Sequence, residues 1–163
     1  MGVSGVGKTT IGLALAERLG YTFLDADAFH DTTNRAKMAS GRALTDTDRM
    51  PWLDRIHAHL IDQREQGSSI VLACSALKKR YRDILFWSIP NPQIIWLDAN
   101  TKTLQQRMGQ RSGHFMPLSL LQSQCDTLET PEEALRIDAN QSIESILQNI
   151  IAHIESPATA PLS

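Results

Sequence analysis

The sequence has few cysteines, no long apolar run and no excess of either charge. Its two cysteines, Cys74 and Cys125, have neither C-x-x-C nor metal-ligand spacing, so they predict no metal site. No run of about 18 apolar residues and no signal-peptide pattern occurs. We therefore expect a protein of the reducing cytoplasm with no membrane partner.

Charge and length restrict the partners and the number of domains. Sixteen basic and eighteen acidic side chains give a net charge of −2, so no basic surface is predicted for nucleic acid. Small molecules are the expected partners. With 163 residues, 42% of them hydrophobic, the chain can form one globular domain, which we place at residues 1–155. Residues 156–163 contain Pro157 and Pro161 and are predicted to be a flexible tail.

The most informative motif lies at the start of the chain, where residues 2–9 match the phosphate-loop pattern G-x-x-x-x-G-K-[ST]. Glycines let backbone N–H groups turn toward the phosphates of a nucleotide, and the following helix presents its positive end to them. Lys8 is predicted to reach the β- and γ-phosphates of ATP, and the Thr9 hydroxyl to hold Mg²⁺. The predicted nucleotide-binding residues of this loop are Gly2, Val3, Ser4, Gly5, Val6, Gly7, Lys8, Thr9 and Thr10.

One expected element does not precede this loop. In this class of fold a buried apolar strand leads into the loop at the centre of a parallel sheet, but only Met1 precedes Gly2. The chain is either a natural variant without the strand or part of a longer protein in which Met1 is internal, and we favour the second. Buried backbone groups without partners cost roughly 1–3 kcal/mol each, against a total stability of about 5–15 kcal/mol. Residues 1–163 alone are therefore predicted to be unstable or inactive; a cooperative melt with tight nucleotide binding would contradict this.

Strand and helix patterns alternate along the remainder of the chain. The predicted class is α/β: a P-loop NTPase with a doubly wound parallel sheet, helices on both of its faces, and a loop near Gly113 that has the character of a lid. Residues 34–47 are predicted to be a polar stretch without regular structure. The predicted strands are residues 21–24, 69–73, 94–97 and 135–137, and the predicted helices run to Leu19, from near Asp48 to Gly67, over 77–87, over 101–108 with a Thr101 cap, and from a Ser142 cap.

Polar clusters at three predicted strand ends mark the site, because ligands bind at the carboxyl ends of parallel strands. They are the phosphate loop and residues 25–30 and 74–79. Asp27 is the candidate that accepts or orients the proton of an acceptor hydroxyl, the alternative being a helix cap. Asp25 is interpreted as structural.

Cations and histidines complete the candidate set. Arg107 and Arg111 are four residues apart beside the glycine of the predicted lid, which suits clamping phosphates, although a solvated helix face has the same pattern. Lys78 begins a basic run and is a candidate ligand for an anionic substrate. His30 and His114 either hydrogen-bond a substrate or are packing and surface residues.

Three stretches together resemble the gluconokinase family of small phosphate-loop sugar-acid kinases. They are residues 2–9; residues 25–53, with Asp25-Ala26-Asp27, His30, Asn34, Lys37 to Gly41, Leu44, Asp46, Asp48-Arg49 and Pro51-Trp52-Leu53; and residues 73–83, Ala-Cys-Ser-Ala-Leu-Lys-Lys-Arg-Tyr-Arg-Asp. Arg107, Arg111, residues 113–116 and Leu128-Glu129-x-Pro131 agree in order and spacing.

The resemblance implies a fold like that of the nucleoside monophosphate kinases, with a lid. It also implies transfer of the ATP γ-phosphate to the terminal hydroxyl of D-gluconate, giving 6-phosphogluconate, by a cytoplasmic homodimer. It implies that Arg107 and Arg111 serve the lid. A carboxylate substrate explains why cations should gather opposite the phosphate loop. Asp31 stands where the family usually has a proline, which should change only the stiffness of the loop. The residues implied around the sugar acid are Asp27, His30, Lys37, Arg49 and Lys78, with His114 beside them.

Two alternatives stay open on the residues alone. A shikimate kinase shares the phosphate loop and the Asp-x-Asp strand end, but is expected to have a glycine cluster where this chain has residues 74–78. A nucleotide-binding form without turnover, impaired by the lack of the first strand, is the other alternative. Intact Lys8, Thr9 and Asp27 argue against evolved inactivity.

Overall fold

The computed structural model describes residues 1–109 and 118–156. Within them the strands and helices alternate as predicted, and no helix is long and apolar enough to cross a membrane. The elements in chain order are α1 (Lys8–Leu19), β1 (Thr22–Asp25), a 3₁₀ helix (Ala26–Phe29), α2 (Thr32–Ala39), α3 (Asp46–Glu65), β2 (Ile70–Ala73), α4 (Lys79–Leu85), β3 (Ile95–Asp98), α5 (Thr101–Gly109), α6 (Leu118–Thr127), β4 (Leu135–Asp138) and α7 (Ile143–Glu155).

Local capping signals account for most helix ends. Gly20 ends α1 in the left-handed conformation at φ 68°, and the Ser142 hydroxyl accepts the Ser145 N–H at the start of α7. At α3, Thr45 and Asp48 form a capping box, so the helix begins at Asp46, earlier than expected. The predicted Thr101 cap is wrong, because the side chain of the preceding Asn100 accepts the Thr103 N–H at 2.9 Å.

Two helices were not predicted. The polar stretch was expected to be irregular, but α2 occupies its first part because the Asp31 carboxylate caps it, accepting the Asn34 N–H at 2.8 Å. Asp31 therefore contributes a helix cap. The other unpredicted helix is α6. The predicted lid residues 111–115 and the tail from residue 157 lie outside the described residues.

The four strands form two parallel pairs, β1 with β2 and β3 with β4, within the described part of the chain. Met1 lies along the inner edge of β3, where its carbonyl accepts the Leu97 N–H at 3.0 Å. The Gly2 N–H donates to the Ser75 carbonyl, just beyond β2, at 3.3 Å. These two residues thus lie between the strand pairs, at the position expected for the end of a central strand.

The apolar core is divided between the two faces of the sheet. One cluster joins α1, α5 and α7 and includes Leu15, Leu104 and Ile150. The other joins α3 and α4 and includes Ile56 and Leu85, with Met1 packed against it. The predicted buried stripe of α3 is largely confirmed, since Leu53, Ile56 and Leu60 are buried. Helices cover both faces, as in the predicted doubly wound architecture.

Candidate active site

The phosphate loop has the geometry that its glycines predict. Gly2, Gly5 and Gly7 have φ values of 138°, 83° and 105°, a region that side-chain-bearing residues rarely adopt. A Cβ atom on Gly2 would lie 2.5 Å from the Leu97 carbonyl oxygen. Gly7 caps α1 without a side-chain hydrogen bond, so the first N–H groups of the helix are directed at the loop. This is the arrangement by which a helix N-terminus binds phosphate.

Lys8 is the first residue of α1, and its side chain folds back over the loop. Its Nζ donates to the Val3 carbonyl at 3.1 Å. Lys8 also lines a small pocket of about 80 Å³ together with loop residues and the two aspartates at the end of β1. The ammonium group is therefore held beside the backbone amides that would surround a phosphate.

Thr9 and Asp25 meet at this pocket. The Thr9 hydroxyl donates to Asp25 Oδ2 at 3.2 Å, across the gap between α1 and β1. The other carboxylate oxygen of Asp25 accepts the Asp27 N–H at 3.0 Å and so caps the 3₁₀ helix. A hydroxyl and a carboxylate are the hard oxygen ligands that Mg²⁺ prefers. Asp25, which the sequence analysis interpreted as structural, is therefore also a candidate Mg²⁺ ligand.

Asp27 lies in the same pocket, two residues beyond β1. Its alternative role as a helix cap is not observed, because Asp25 provides the cap. Asp27 is exposed and lines this pocket together with residues of the phosphate loop. This position suits a group that hydrogen-bonds the hydroxyl of an acceptor.

His30 follows these aspartates in the chain and is buried. The residue is 8% exposed, and its ring stacks on Trp52 with ring centroids 4.5 Å apart. Burial lowers the pKa of the imidazole, although Asp27 and Asp31 oppose this shift. Its Nδ1 is buried and has no hydrogen-bond partner among residues 1–109 and 118–156. His30 therefore combines packing with an unused polar atom, and Trp52, which positions it, was not singled out from the sequence.

The predicted substrate cations Arg49 and Lys78 come together around Asp46. Lys78 Nζ donates to both Asp46 carboxylate oxygens, at 3.0 and 2.9 Å, and Arg80 pairs with the same group at 2.7 Å. The Tyr81 hydroxyl also donates to Asp46, and Arg49 donates to that hydroxyl at 3.3 Å. Asp46, Arg80 and Tyr81 entered the sequence analysis only as parts of motifs and were given no role in the site, because their contacts span more than thirty residues of chain.

Hydrogen bonds from Tyr81 and Lys78 lower the pKa of Asp46 to about 2. Lys37, another predicted substrate cation, donates to Asp48, and this hydrogen bond holds the pKa of Asp48 far below its usual range. Both carboxylates thus stay ionised at neutral pH and keep the cations in place. The three predicted substrate cations all contact groups of the protein. Lys37 pairs with Asp48, Lys78 pairs with Asp46, and Arg49 donates to the Tyr81 hydroxyl.

This carboxylate network predicts an acid-sensitive fold. Because the folded-state pKa of Asp46 lies below its ordinary value of 3.8, the unfolded chain binds more protons between pH 4 and pH 2. We expect the melting temperature to fall as the pH drops through this window, and Asp46→Asn to flatten that fall. Melting curves from pH 7 to pH 2 test this, with Asp83→Asn, which removes only an exposed pair with Lys79, as the control. An identical pH profile in the Asp46 variant would contradict the assignment.

Arg107 connects the phosphate loop to the last strand. Its guanidinium donates to the Val6 carbonyl at 3.2 Å and to the Ala139 carbonyl, just beyond β4, at 2.7 Å. The residue is half-buried, so it does not lie on a solvated face. Arg111 and His114, its predicted partners in the lid, lie outside the described residues.

The site therefore has the parts that phosphoryl transfer needs: an anion cradle, a lysine, oxygen ligands for Mg²⁺ and a carboxylate beside the cradle. A parallel α/β sheet with these groups at the carboxyl ends of its strands defines a phosphate-loop kinase.

Comparison with known proteins gives the family. The shikimate kinase family model matches residues 4–155. The gluconokinase of Gluconobacter oxydans (strain 621H) is 43% identical, over 96% of this chain and 89% of its own length. The gluconokinase of Arabidopsis thaliana is also 43% identical, over 93% of this chain and 88% of its own. The crystal structure of a gluconokinase from Sinorhizobium meliloti 1021 superposes with a TM-score of 0.83 at 42% identity, covering 93% of this chain and 87% of that one. The chain belongs to the gluconokinase family, as its motifs indicated.

Proposed function

We propose that this protein transfers the γ-phosphate of ATP to the terminal hydroxyl of D-gluconate and produces 6-phospho-D-gluconate. The observation that carries this proposal is identity of 43% to a gluconokinase over 96% of the chain. The phosphate loop, the aspartates at the end of β1 and the cations on α2, on α3 and at the start of α4 supply matching chemistry.

The nucleotide side of the reaction is assigned to the loop and to α1. The backbone amides of residues 2–10 and the Lys8 ammonium bind the phosphates of ATP, and the N-terminus of α1 adds its positive dipole. Thr9 and Asp25 hold Mg²⁺, which when bound neutralises charge on the phosphate oxygens. Arg107 fixes the loop against β4, and Arg111 is proposed to close over the phosphates with the lid.

The acceptor side is assigned to the residues beyond β1 and to the cations on α2, on α3 and at the start of α4. Asp27 orients the terminal hydroxyl of gluconate and accepts its proton as the phosphorus–oxygen bond forms. His30 offers its unused Nδ1 to a substrate hydroxyl, and Lys37, Arg49 and Lys78 provide the positive charge that a carboxylate requires. His114 is proposed as a further contact from the lid. Cytoplasmic location and a homodimer belong to this proposal as well.

Removing one substrate cation should affect the two substrates unequally. Lys78→Ala is expected to raise the KM for gluconate about 10- to 100-fold, the range for losing a charge-assisted hydrogen bond. The KM for ATP should change much less. Lys79→Ala is the matched control, because Lys79 is the next residue and, among residues 1–109 and 118–156, its side chain pairs only with exposed Asp83. Equal losses for ATP and gluconate would contradict the role of Lys78.

The activity itself is tested by measuring ADP formation by the purified protein with Mg-ATP and gluconate. Shikimate is the competing acceptor, because the matching family model is described as shikimate kinase, and a reaction without acceptor is the blank. In a preparation that melts cooperatively, so that the predicted instability of residues 1–163 does not apply, we expect turnover that depends on gluconate. Turnover with shikimate alone, or none with any acceptor in a preparation that melts cooperatively, would contradict the proposal.

A further inference from the structure

Arg82 is a buried cation to which the proposed reaction assigns no role. It lies on α4 and is only 3% exposed, although arginine is rarely buried without partners. One nitrogen of its guanidinium, Nη1, lies 3.1 Å from the Ala76 carbonyl oxygen, 3.4 Å from that of Leu77 and 3.2 Å from that of Glu129. Its Nε pairs with the half-exposed Glu133 carboxylate at 3.4 Å. The guanidinium therefore joins the segment between β2 and α4 to the segment between α6 and β4.

The segment between β2 and α4 contains a strained turn at Ala76. This residue has φ 46°, in the left-handed region that residues other than glycine rarely adopt. Such a conformation persists only where the surrounding contacts hold it. The hydrogen bond from Arg82 to the Ala76 carbonyl is buried, and a buried carbonyl is costly to leave without a donor. Arg82 therefore stabilises the backbone turn at Ala76.

The turn at Ala76 lies between the phosphate loop and Lys78. Immediately before the turn, the Ser75 carbonyl accepts the N–H of Gly2, the first residue of the phosphate loop, at 3.3 Å. Two residues after the turn, the Lys78 carbonyl accepts the backbone N–H of Arg82 at 3.3 Å in the first turn of α4. A change in the backbone dihedral angles of Ala76 would therefore move Lys78 relative to the phosphate loop.

Glu129 holds the same segment from the side of α6. The Leu77 carbonyl accepts the Glu129 N–H at 2.8 Å, and the Glu129 carboxylate accepts the Lys79 N–H at 2.6 Å. Arg82 contacts the carbonyl of Glu129 as well, so it holds both segments at once. The planar guanidinium presents several donors in a fixed geometry, whereas a lysine ammonium is a point charge on a flexible stem. Only arginine can hold these carbonyls together in this way.

We infer that Arg82 is a positioning residue for the acceptor substrate: it holds the turn at Ala76 and so sets the position of Lys78 relative to the phosphate loop. The inference rests on the proposed function, in which Lys78 binds the carboxylate of gluconate. Arg82 acts through the backbone of residues 76–78 and does not contact the substrate. Its loss should therefore weaken gluconate binding much more than ATP binding.

Arg82→Lys tests the inference, because it keeps the buried charge and loses the planar set of donors. We expect this variant to raise the KM for gluconate about 10-fold and the KM for ATP less than about twofold. Adding Ala76→Gly should lower the raised KM for gluconate about threefold or more, because glycine adopts a φ of 46° without strain. Adding Lys78→Ala to Arg82→Lys should cause no greater loss than Lys78→Ala alone, because both changes act on one interaction.

Leu85→Ala is the matched control for a loss of stability. Leu85 lies three residues later on α4, is fully buried and belongs to the apolar cluster that joins α4 to α3. Its truncation should lower the melting temperature by several degrees, at least as much as Arg82→Lys does, and leave both KM values within about twofold of those of the unsubstituted chain. A selective rise in the KM for gluconate in this control would show that stability is the cause and would overturn the inference.

Four results with the Arg82 variants would also overturn it: an unchanged KM for gluconate, equal rises for ATP and gluconate, no recovery with Ala76→Gly, or losses that add to those of Lys78→Ala. If the unsubstituted chain does not phosphorylate gluconate, the proposed function fails separately. Amide exchange at Lys79 and Glu129 then tests the positioning role alone. Exchange at least about tenfold faster in Arg82→Lys than in Leu85→Ala would support that role, and equal exchange would overturn it.

Discussion

Replacing Lys8 with alanine is expected to lower kcat for gluconate phosphorylation by about 10³-fold or more. Charge develops on the phosphate oxygens during transfer, and fixed cations in such sites contribute factors of this size. Lys8 begins α1, and its ammonium is held over the loop by the Val3 carbonyl at 3.1 Å, beside the pocket that contains Asp25 and Asp27. No other lysine lines that pocket among the described residues.

The matched control for Lys8 is Lys79→Ala, which removes a lysine from the first position of α4 without touching the pocket. Steady-state rates with varied ATP and varied gluconate separate binding from turnover, and a melting curve of each variant checks folding. Near-normal turnover by a folded Lys8→Ala protein would remove Lys8 from the phosphate site.

The sequence predicted those parts of the fold that depend on neighbouring residues. The phosphate loop, the glycine that ends α1 and the serine that caps α7 are all encoded within a few positions. The first strand begins one residue later than predicted, because the end of the preceding helix includes the first residue of the predicted strand. The Tyr21 N–H donates to the Ala16 carbonyl at 2.9 Å, so Tyr21 completes the end of α1 and β1 begins at Thr22.

Contacts between distant residues could not be predicted in this way. The pairing of Thr9 with Asp25, the stacking of His30 on Trp52 and the convergence of Lys78 and Tyr81 on Asp46 all depend on how the helices pack. Helix α2 was missed for a different reason. It is mostly polar and only Asn34 is buried, so no apolar stripe marks it and its Asp31 cap is the one local signal.

Asp27→Asn is expected to lower kcat by about 10²- to 10⁴-fold, the range for losing a general base, while the KM for ATP changes little. Asparagine keeps the size of the side chain but cannot accept the proton of the gluconate hydroxyl. Asp27 is not the cap of the 3₁₀ helix, so this substitution leaves the cap formed by Asp25 in place. An unchanged rate constant would show that Asp27 has no part in the proton transfer.

The variant Asp25→Asn distinguishes the role of Asp25 from that of Asp27, because the two variants should differ in their Mg²⁺ requirement. Asp25 accepts the Thr9 hydroxyl at 3.2 Å, so its replacement should raise the Mg²⁺ concentration needed for half-maximal rate. Asp27→Asn should instead leave the Mg²⁺ requirement unchanged, because Asp27 is assigned to the acceptor. Titrating Mg²⁺ at saturating ATP and gluconate in both variants therefore distinguishes the metal ligand from the proton acceptor. A shared shift in Mg²⁺ requirement would mean that both carboxylates serve the cation.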